Sequence, residues 1–149
     1  MSTDTTGYTL TRVFDAPREL VWQCWTSPEH FAVWFGGHEG VMSEMVVEPR
    51  PGGRWSGTMT VPGGHTIPWN GKFLEIEEPH RLVLAFNDQA ELGEEYDTFT
   101  VTLTEKDGGT ELVLTQAGGH LTPEQYEQAK TGTASFLDVM AEHLAVLRG

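Results

Sequence analysis

The feature that most constrains the fold is the order of the predicted elements, a series of strands that ends in one long helix. Apolar and polar residues alternate through most of the chain, as in strands with one buried face. Strands joined by short turns pair in an antiparallel sheet. The predicted strands are Tyr8–Phe14, Val41–Glu48, Gly53–Val61, Ile67–Glu77, Arg81–Phe86, Tyr96–Glu105 and Thr110–Ala117.

A long helix is predicted from Thr122 to Leu147. Thr122 is a candidate N-cap, followed by proline at the first helical position and by Gln125 three residues after the cap. Its apolar face contains Tyr126, Ala129, Thr133, Phe136, Met140, Leu144 and Leu147. Gly132 costs such a helix up to about 1 kcal/mol relative to alanine, so we expect a close packing contact there.

Only this helix is large enough to cover the buried face of the sheet. Helical spacing of apolar residues also predicts two short helices after the first strand, one carrying Cys24 and Trp25 and the other carrying Phe31 and Trp34. We therefore predict an α+β fold in which a curved antiparallel sheet wraps around the long helix. A gap arises where their curvatures do not match, and side chains or a ligand must fill it.

Charge and cysteine content exclude several classes of partner. The 149 residues carry a net charge of −13, which disfavours nucleic acid and anionic membrane surfaces. No apolar run approaches the roughly 20 residues of a membrane span. The single cysteine, Cys24, fits a reducing compartment. A cytoplasmic location is therefore expected.

Four motifs follow one another along the chain. The first is Ala16-Pro17 with Val21-Trp22 and Trp25-Thr26, and the second is Pro28-Glu29-His30 with Trp34. The third and most specific is Arg50-Pro51-Gly52-Gly53-Arg54-Trp55. The fourth joins Gly71, Leu74-Glu75-Ile76 and Pro79-His80-Arg81-Leu82. Through them the sequence resembles bacterial homologues in the family of activators of heat-shock-protein-90 ATPase, in the START-like (SRPBCC, birch-pollen-allergen-like) superfamily.

This resemblance implies a single START-like domain over residues 1–149, with a helix-grip fold and an internal cavity. Many relatives bind apolar small molecules, and the eukaryotic ones stimulate a chaperone ATPase as part of a longer protein. The chain departs from the family at Glu48-Pro49, where an aspartate is usual, and at Gly132-Thr133, where Gly-Trp is usual. Loss of the tryptophan ring predicts extra room beside Thr133.

Aromatic and methionine side chains from different elements are the best candidates for ligand binding. Ligand pockets are mostly apolar and aromatic, and methionine adapts to irregular shapes. The alternative for each residue is a place in a packed core. The candidate set consists of Trp34, Phe35, Trp55, Trp69, Phe86, Phe99 and Phe136, together with Met42, Met59 and Met140. The predicted lining residues are Trp34, Trp55, Met59, Trp69, Phe86, Phe99, Phe136 and Met140.

Three charged residues around the Arg-Pro-Gly-Gly turn form a possible polar anchor. Glu48, Arg50 and Arg54 lie close together in sequence, and arginine pairs bidentately with carboxylates and other anions. A structural ion pair that fixes the turn is the favoured alternative.

Other candidate sites are weaker. The six histidines show no metal-ligand spacing, so we predict no metal site and no cofactor. Cys24 is expected to be a packed thiol. The acidic stretch from Asp88 to Asp97 lacks a calcium-loop signature and is expected to be a solvated loop.

The function predicted first is non-enzymatic binding of an apolar small molecule in the internal cavity, in a stress-related role. The second is an enzyme using the same cavity, resembling a cyclase, hydratase or hydrolase, with Glu48, Arg54, His65 and His120 as acid–base candidates. The third is a chaperone-partner module, which would need an exposed apolar patch. A homodimer is possible in each case.

Overall fold

The computed structural model describes residues 7–88, 96–118 and 121–148. The strands are β1 (Gly7–Phe14), β2 (Val41–Val47), β3 (Arg54–Thr60), β4 (Thr66–Glu77), β5 (Arg81–Asn87), β6 (Asp97–Lys106) and β7 (Gly109–Ala117). The helices are α1 (Arg18–Thr26), α2 (Pro28–Trp34) and α3 (Pro123–Arg148).

The seven strands form one antiparallel sheet in the order β1-β7-β6-β5-β4-β3-β2. Helix α3 packs against β1 and α2, while α1 and α2 lie between β1 and β2 in sequence. The predicted helix-grip α+β fold is confirmed. Among the described residues, no helix is both long and apolar enough to cross a membrane.

Local signals in the sequence set the ends of these elements. The hydroxyl of Thr122 accepts from the backbone N–H of Gln125 at 3.1 Å, and the Gln125 side-chain oxygen accepts from the backbone N–H of Thr122 at 2.8 Å. This reciprocal pair is the predicted capping box. Between β6 and β7, Asp107 and Gly108 both adopt positive φ, of 52° and 83°, as a tight hairpin turn requires.

The inner face of the sheet follows the alternation read from the sequence. Trp55, Gly57 and Met59 are buried along β3, and Phe99, Val101 and Leu103 are buried along β6. On α3 the buried side chains are Tyr126, Thr133, Leu137, Met140 and Leu144. The core therefore lies between this helix, the two short helices and the concave sheet.

The expected packing contact at Gly132 is wrong. Apart from the adjacent backbone of its own helix, a Cβ added at this position would have no heavy atom within 4 Å. No close approach of a neighbouring element therefore explains the glycine.

The Arg-Pro-Gly-Gly segment is a tight turn between β2 and β3. Gly52 has a φ of 80°, and its N–H donates to the carbonyl of Phe73 at 2.7 Å. Gly53 is required for a different reason, because a Cβ there would lie 2.0 Å from the carbonyl oxygen of Glu48. One glycine supplies a left-handed conformation, and the next allows close backbone approach.

Candidate functional site

The six predicted aromatic lining residues belong to one connected set of ring contacts. Phe86 and Phe99 are the closest pair, with ring centroids 4.4 Å apart. Phe136 on α3 lies 6.2 Å from Trp34. Trp34, Trp55, Phe86 and Phe99 are buried, whereas Trp69 and Phe136 are partly buried. The two predicted methionines, Met59 and Met140, belong to the same core.

Three further rings join these residues. Phe35 belongs to the candidate set but not to the predicted lining residues, and Trp25 and Phe31 belong to neither. Trp25 contacts Trp34 at 4.5 Å and Phe99 at 6.4 Å. Phe35 contacts Trp55, Trp69 and Phe136 at 5.4, 5.3 and 4.8 Å. Phe31 lies 5.2 Å from Trp55. All three lie on or directly after the short helices, whose apolar spacing showed that they are buried but not what they contact.

Two of the tryptophans are fixed by hydrogen bonds to the backbone. Trp55 Nε1 donates to the carbonyl of Ala85 at 3.0 Å, and Trp34 Nε1 donates to the carbonyl of Cys24 at 2.6 Å. The Trp55 ring reaches Ala85 by crossing Gly71, where a Cβ would lie 2.0 Å from Trp55 Nε1. Gly71 therefore positions one wall of the aromatic cluster.

A buried polar network lies beside the aromatic cluster, next to the start of β6. Asp97 Oδ2 accepts from Gln116 Nε2 at 2.8 Å and from the Tyr126 hydroxyl at 2.9 Å. The Tyr8 hydroxyl donates to Gln116 Oε1 at 2.6 Å and lies 2.6 Å from the hydroxyl of Thr133. Burial raises the pKa of Tyr8 to about 12, so at neutral pH its hydroxyl keeps its proton.

This network corrects the expected solvation of the acidic stretch. Asp97 is only 6% exposed, because β6 begins at this residue and turns its side chain inward, two positions before Phe99. Asp88 is exposed, and Glu91, Glu94 and Glu95 lie outside the described residues. No local pattern reveals the network, since its members come from β1, β6, β7 and α3.

The predicted polar anchor lies apart from these groups, at the turn between β2 and β3. Glu48 Oε1 accepts from the backbone N–H of Arg54 at 3.0 Å and lies 3.5 Å from Arg50 Nη2. Arg50 and Arg54 are exposed. These contacts fit the alternative in which Glu48 fixes the turn, and a role in ligand binding stays a prediction.

Three of the histidines, His30, His38 and His143, make side-chain contacts that sequence spacing did not reveal. His30 Nδ1 and His143 Nε2 are 2.8 Å apart, and burial together with the nearby His30 lowers the pKa of His143. His38 Nε2 lies 2.7 Å from Glu142 Oε2, and this hydrogen bond raises the pKa of His38. Within the described part of the chain, no group of three or more potential ligands could hold a metal ion.

Of the remaining acid–base and nucleophile candidates that the structure describes, one is exposed and one is buried in an unreactive state. His65 is exposed, and His120 falls outside the described residues. Cys24 is fully buried, and burial raises its pKa to about 12, as expected of a packed thiol. A separate pocket of about 350 Å³ between β1 and the end of α3 contains none of the predicted lining residues.

The pattern of family-specific residues extends over most of this fold. The model of the "Activator of Hsp90 ATPase homolog 1-like protein" family matches residues 15–145, which include α1, α2, the Arg-Pro-Gly-Gly turn and most of α3. The chain belongs to this family. Its helix-grip architecture is that of the START-like (SRPBCC) superfamily, as the sequence motifs predicted.

Solved structures of bacterial proteins are similar over nearly the whole chain. A Rhodobacter sphaeroides protein is 28% identical, with a TM-score of 0.79 over 95% of this chain and 93% of the other. A Nitrosomonas europaea protein is 25% identical, with a TM-score of 0.82 over 95% and 96%. The AHSA1 protein of Silicibacter pomeroyi, 18% identical, has the same fold, with a TM-score of 0.81 over 95% and 99%. No curated protein matches the chain significantly.

Proposed function

We propose that this family member is a non-enzymatic binding protein for an apolar small molecule, held between α3 and the concave face of the sheet. The observation that carries the proposal is the aromatic cluster. Six predicted lining rings, from α2, β3, β4, β5, β6 and α3, belong to one network of ring contacts. Flat aromatic rings and adaptable methionine side chains form the kind of lining that an apolar ligand requires.

The polar network supports this proposal by making the interior amphipathic. On the sheet, Phe99 lies directly opposite Gln116, and Gln116 lies opposite Tyr8. Asp97 lies opposite Phe86. An apolar ligand against the aromatic rings would therefore have hydrogen-bonding groups at one end.

A fluorescence titration tests the proposal. The neutral probe N-phenylnaphthylamine should bind with a dissociation constant in the micromolar range and quench emission from the five tryptophans. Thr133→Trp should weaken binding, because Thr133 is only 4% exposed and faces Tyr8. Thr133→Val is the matched control, since it removes the same hydroxyl without adding a ring. Equal binding by all three proteins would contradict the proposed location.

A second candidate function is an enzyme that acts on a ligand in the same interior. The observation that favours it is the buried carboxyl of Asp97, hydrogen-bonded to Tyr126, because general acid–base catalysis needs such a group beside the substrate. Cyclase, hydratase and hydrolase chemistry are the classes proposed. Turnover of a bound compound that is lost in Asp97→Asn, with binding retained, would favour the enzyme over the binding protein.

The proposed setting is the cytoplasm, with a stress-related role. Cys24 as a buried free thiol fits a reducing compartment. Chaperone contact and a homodimer are alternatives that would use the surface. Exposed large apolar residues in the described chain are five valines: Val13, Val33, Val41, Val46 and Val146. Size-exclusion chromatography with light scattering, alone and with a purified chaperone of the heat-shock-protein-90 class, tests both alternatives.

A further inference from the structure

Two indole N–H groups in the aromatic cluster are buried without a hydrogen-bond partner among the described residues. They belong to Trp25 and Trp69. By contrast, Trp34 and Trp55 in the same cluster donate to backbone carbonyls at 2.6 and 3.0 Å. Buried donors without acceptors are rare in folded proteins because each loses its hydrogen bonds to water. The fold thus supplies acceptors for two indoles and leaves two donors without one.

The two unpartnered indoles belong to one closed series of six ring contacts. Successive rings in this loop are Trp25, Phe99, Phe86, Trp69, Phe35 and Trp34, and Trp34 returns to Trp25. Neighbouring centroids are between 4.4 and 6.4 Å apart. Among the described residues, no ring contact links members across the loop. Along these contacts, two rings separate Trp25 from Trp69 in either direction.

Each of these two indoles meets a neighbouring aromatic ring edge-to-face. Trp25 meets Phe99 edge-to-face at an interplanar angle of 84°, and Trp69 meets Phe35 at 85°. An aromatic face is a weak acceptor for N–H. An oxygen acceptor is a much better partner, and in a dry site its hydrogen bond is stronger than in water.

We propose that the ligand is an apolar molecule that carries neutral carbonyl or ether oxygens, and that these accept hydrogen bonds from Trp69 Nε1 and Trp25 Nε1. The inference rests on the proposed function and specifies its ligand class. A neutral acceptor fits better than a carboxylate, because the chain carries a net charge of −13 and the buried carboxyl of Asp97 lies opposite Phe86. An anionic head group would meet repulsion in this interior.

A pair of probes with the same ring skeleton tests this assignment. Fluorenone carries a carbonyl oxygen and fluorene does not, so the ratio of their affinities reports the hydrogen bond. Trp69→Phe and Trp25→Phe keep an aromatic ring but remove the N–H. The ratio should fall about threefold to tenfold in one of the two variants. The double variant should show the same low ratio as that variant.

Trp22→Phe is the matched control. Trp22 is only 5% exposed and is not one of the six rings of the loop, so the substitution removes an indole N–H outside the proposed site and should leave the ratio at its wild-type value. A double variant of Trp25 and Trp69 that keeps the wild-type ratio would overturn the assignment. Failure of both probes to bind the wild-type protein would instead overturn the proposed function.

A second measurement needs no variant. In protein labelled with ¹⁵N-tryptophan, fluorenone should move an indole Nε1–H resonance downfield and slow its exchange with solvent, whereas fluorene should not. Assignment of that resonance to Trp69 or Trp25 supports the proposal. If fluorenone binds and no indole resonance moves downfield, the proposal is contradicted.

Discussion

The hydroxyl groups of Tyr8 and Thr133 lie 2.6 Å apart and connect the first strand to the long helix. This hydrogen bond stands at the position where the family resemblance implied a large apolar side chain. Through Gln116 and Asp97 the same network reaches β7 and β6. The sheet therefore holds the part of α3 that contains Tyr126 and Thr133 by polar as well as apolar contacts.

Tyr8→Phe should destabilise the protein by about 1–3 kcal/mol, because it leaves the buried Gln116 oxygen without its donor. Thr9→Val is the control. Its hydroxyl pairs with Thr115 on the exposed side of the same strand, so the loss should stay within about 0.5 kcal/mol. Urea unfolding measures both values. Equal stability of the two variants would mean that the network does not support α3.

The network also shows where sequence reasoning ends. Alternation along β3 and β6 and the Thr122 capping box are local patterns, and they predicted strand faces and a helix start that the structure confirms. Asp97 binds Gln116 and Tyr126, which are 19 and 29 residues away. The acidic residues that precede Asp97 predicted a solvated loop at this point of the chain. No local signal in the sequence identifies partners so far away.

Gly71→Ala should destabilise strongly. The added Cβ would lie 2.0 Å from both the Ala85 carbonyl oxygen and Trp55 Nε1, so the strands or the indole must move. Gly132→Ala should instead stabilise α3 by up to about 1 kcal/mol, because nothing lies within 4 Å of the new methyl group. Thermal melting compares them directly. A gain in Gly71→Ala, or a loss in Gly132→Ala, would contradict the packing described.

The two turn glycines should respond differently to substitution. Gly52→Asn should be mild, because asparagine tolerates the left-handed conformation and nothing lies within 4 Å of the added Cβ. Gly53→Ala should be severe, since its Cβ would lie 2.0 Å from the Glu48 carbonyl oxygen. Chemical denaturation distinguishes the two cases. A mild Gly53→Ala would show that the turn accommodates a side chain.

Acidification should destabilise the protein through His143. Its pKa is lowered from the ordinary 6.5 by burial and by His30, so below that pH the unfolded chain binds a proton that the folded chain resists. The contribution of His143 to stability is therefore complete above pH 6.5. It is lost as the pH decreases toward the lowered pKa of the folded state. His38, whose pKa the Glu142 hydrogen bond raises, contributes in the opposite direction.

His143→Gln should therefore reduce the loss of stability between neutral and mildly acidic pH, and His38→Gln should increase it. Melting temperatures across that range, at constant ionic strength, measure both slopes. The same slope in His143→Gln as in the wild type would show that the pair with His30 has no role in the pH dependence.

The thiol of Cys24 should not react with an aromatic disulfide reagent while the protein is folded. The side chain is fully buried, and its pKa is raised to about 12 by that burial, so almost no thiolate is available to attack. Labelling in increasing urea should follow the unfolding curve. Rapid labelling of the folded protein would contradict the packing of α1 against the sheet.

The most direct test of ligand binding in the aromatic interior is a methyl NMR experiment on the protein saturated with N-phenylnaphthylamine, with ¹³C-labelled methionine and valine methyl groups. We expect intermolecular NOEs from the probe to Met140 and Met59, which are 0% and 5% exposed in the core. Val146, which is 74% exposed near the end of α3, should show none. NOEs to Val146 without any to Met140 or Met59 would contradict ligand binding in the aromatic interior.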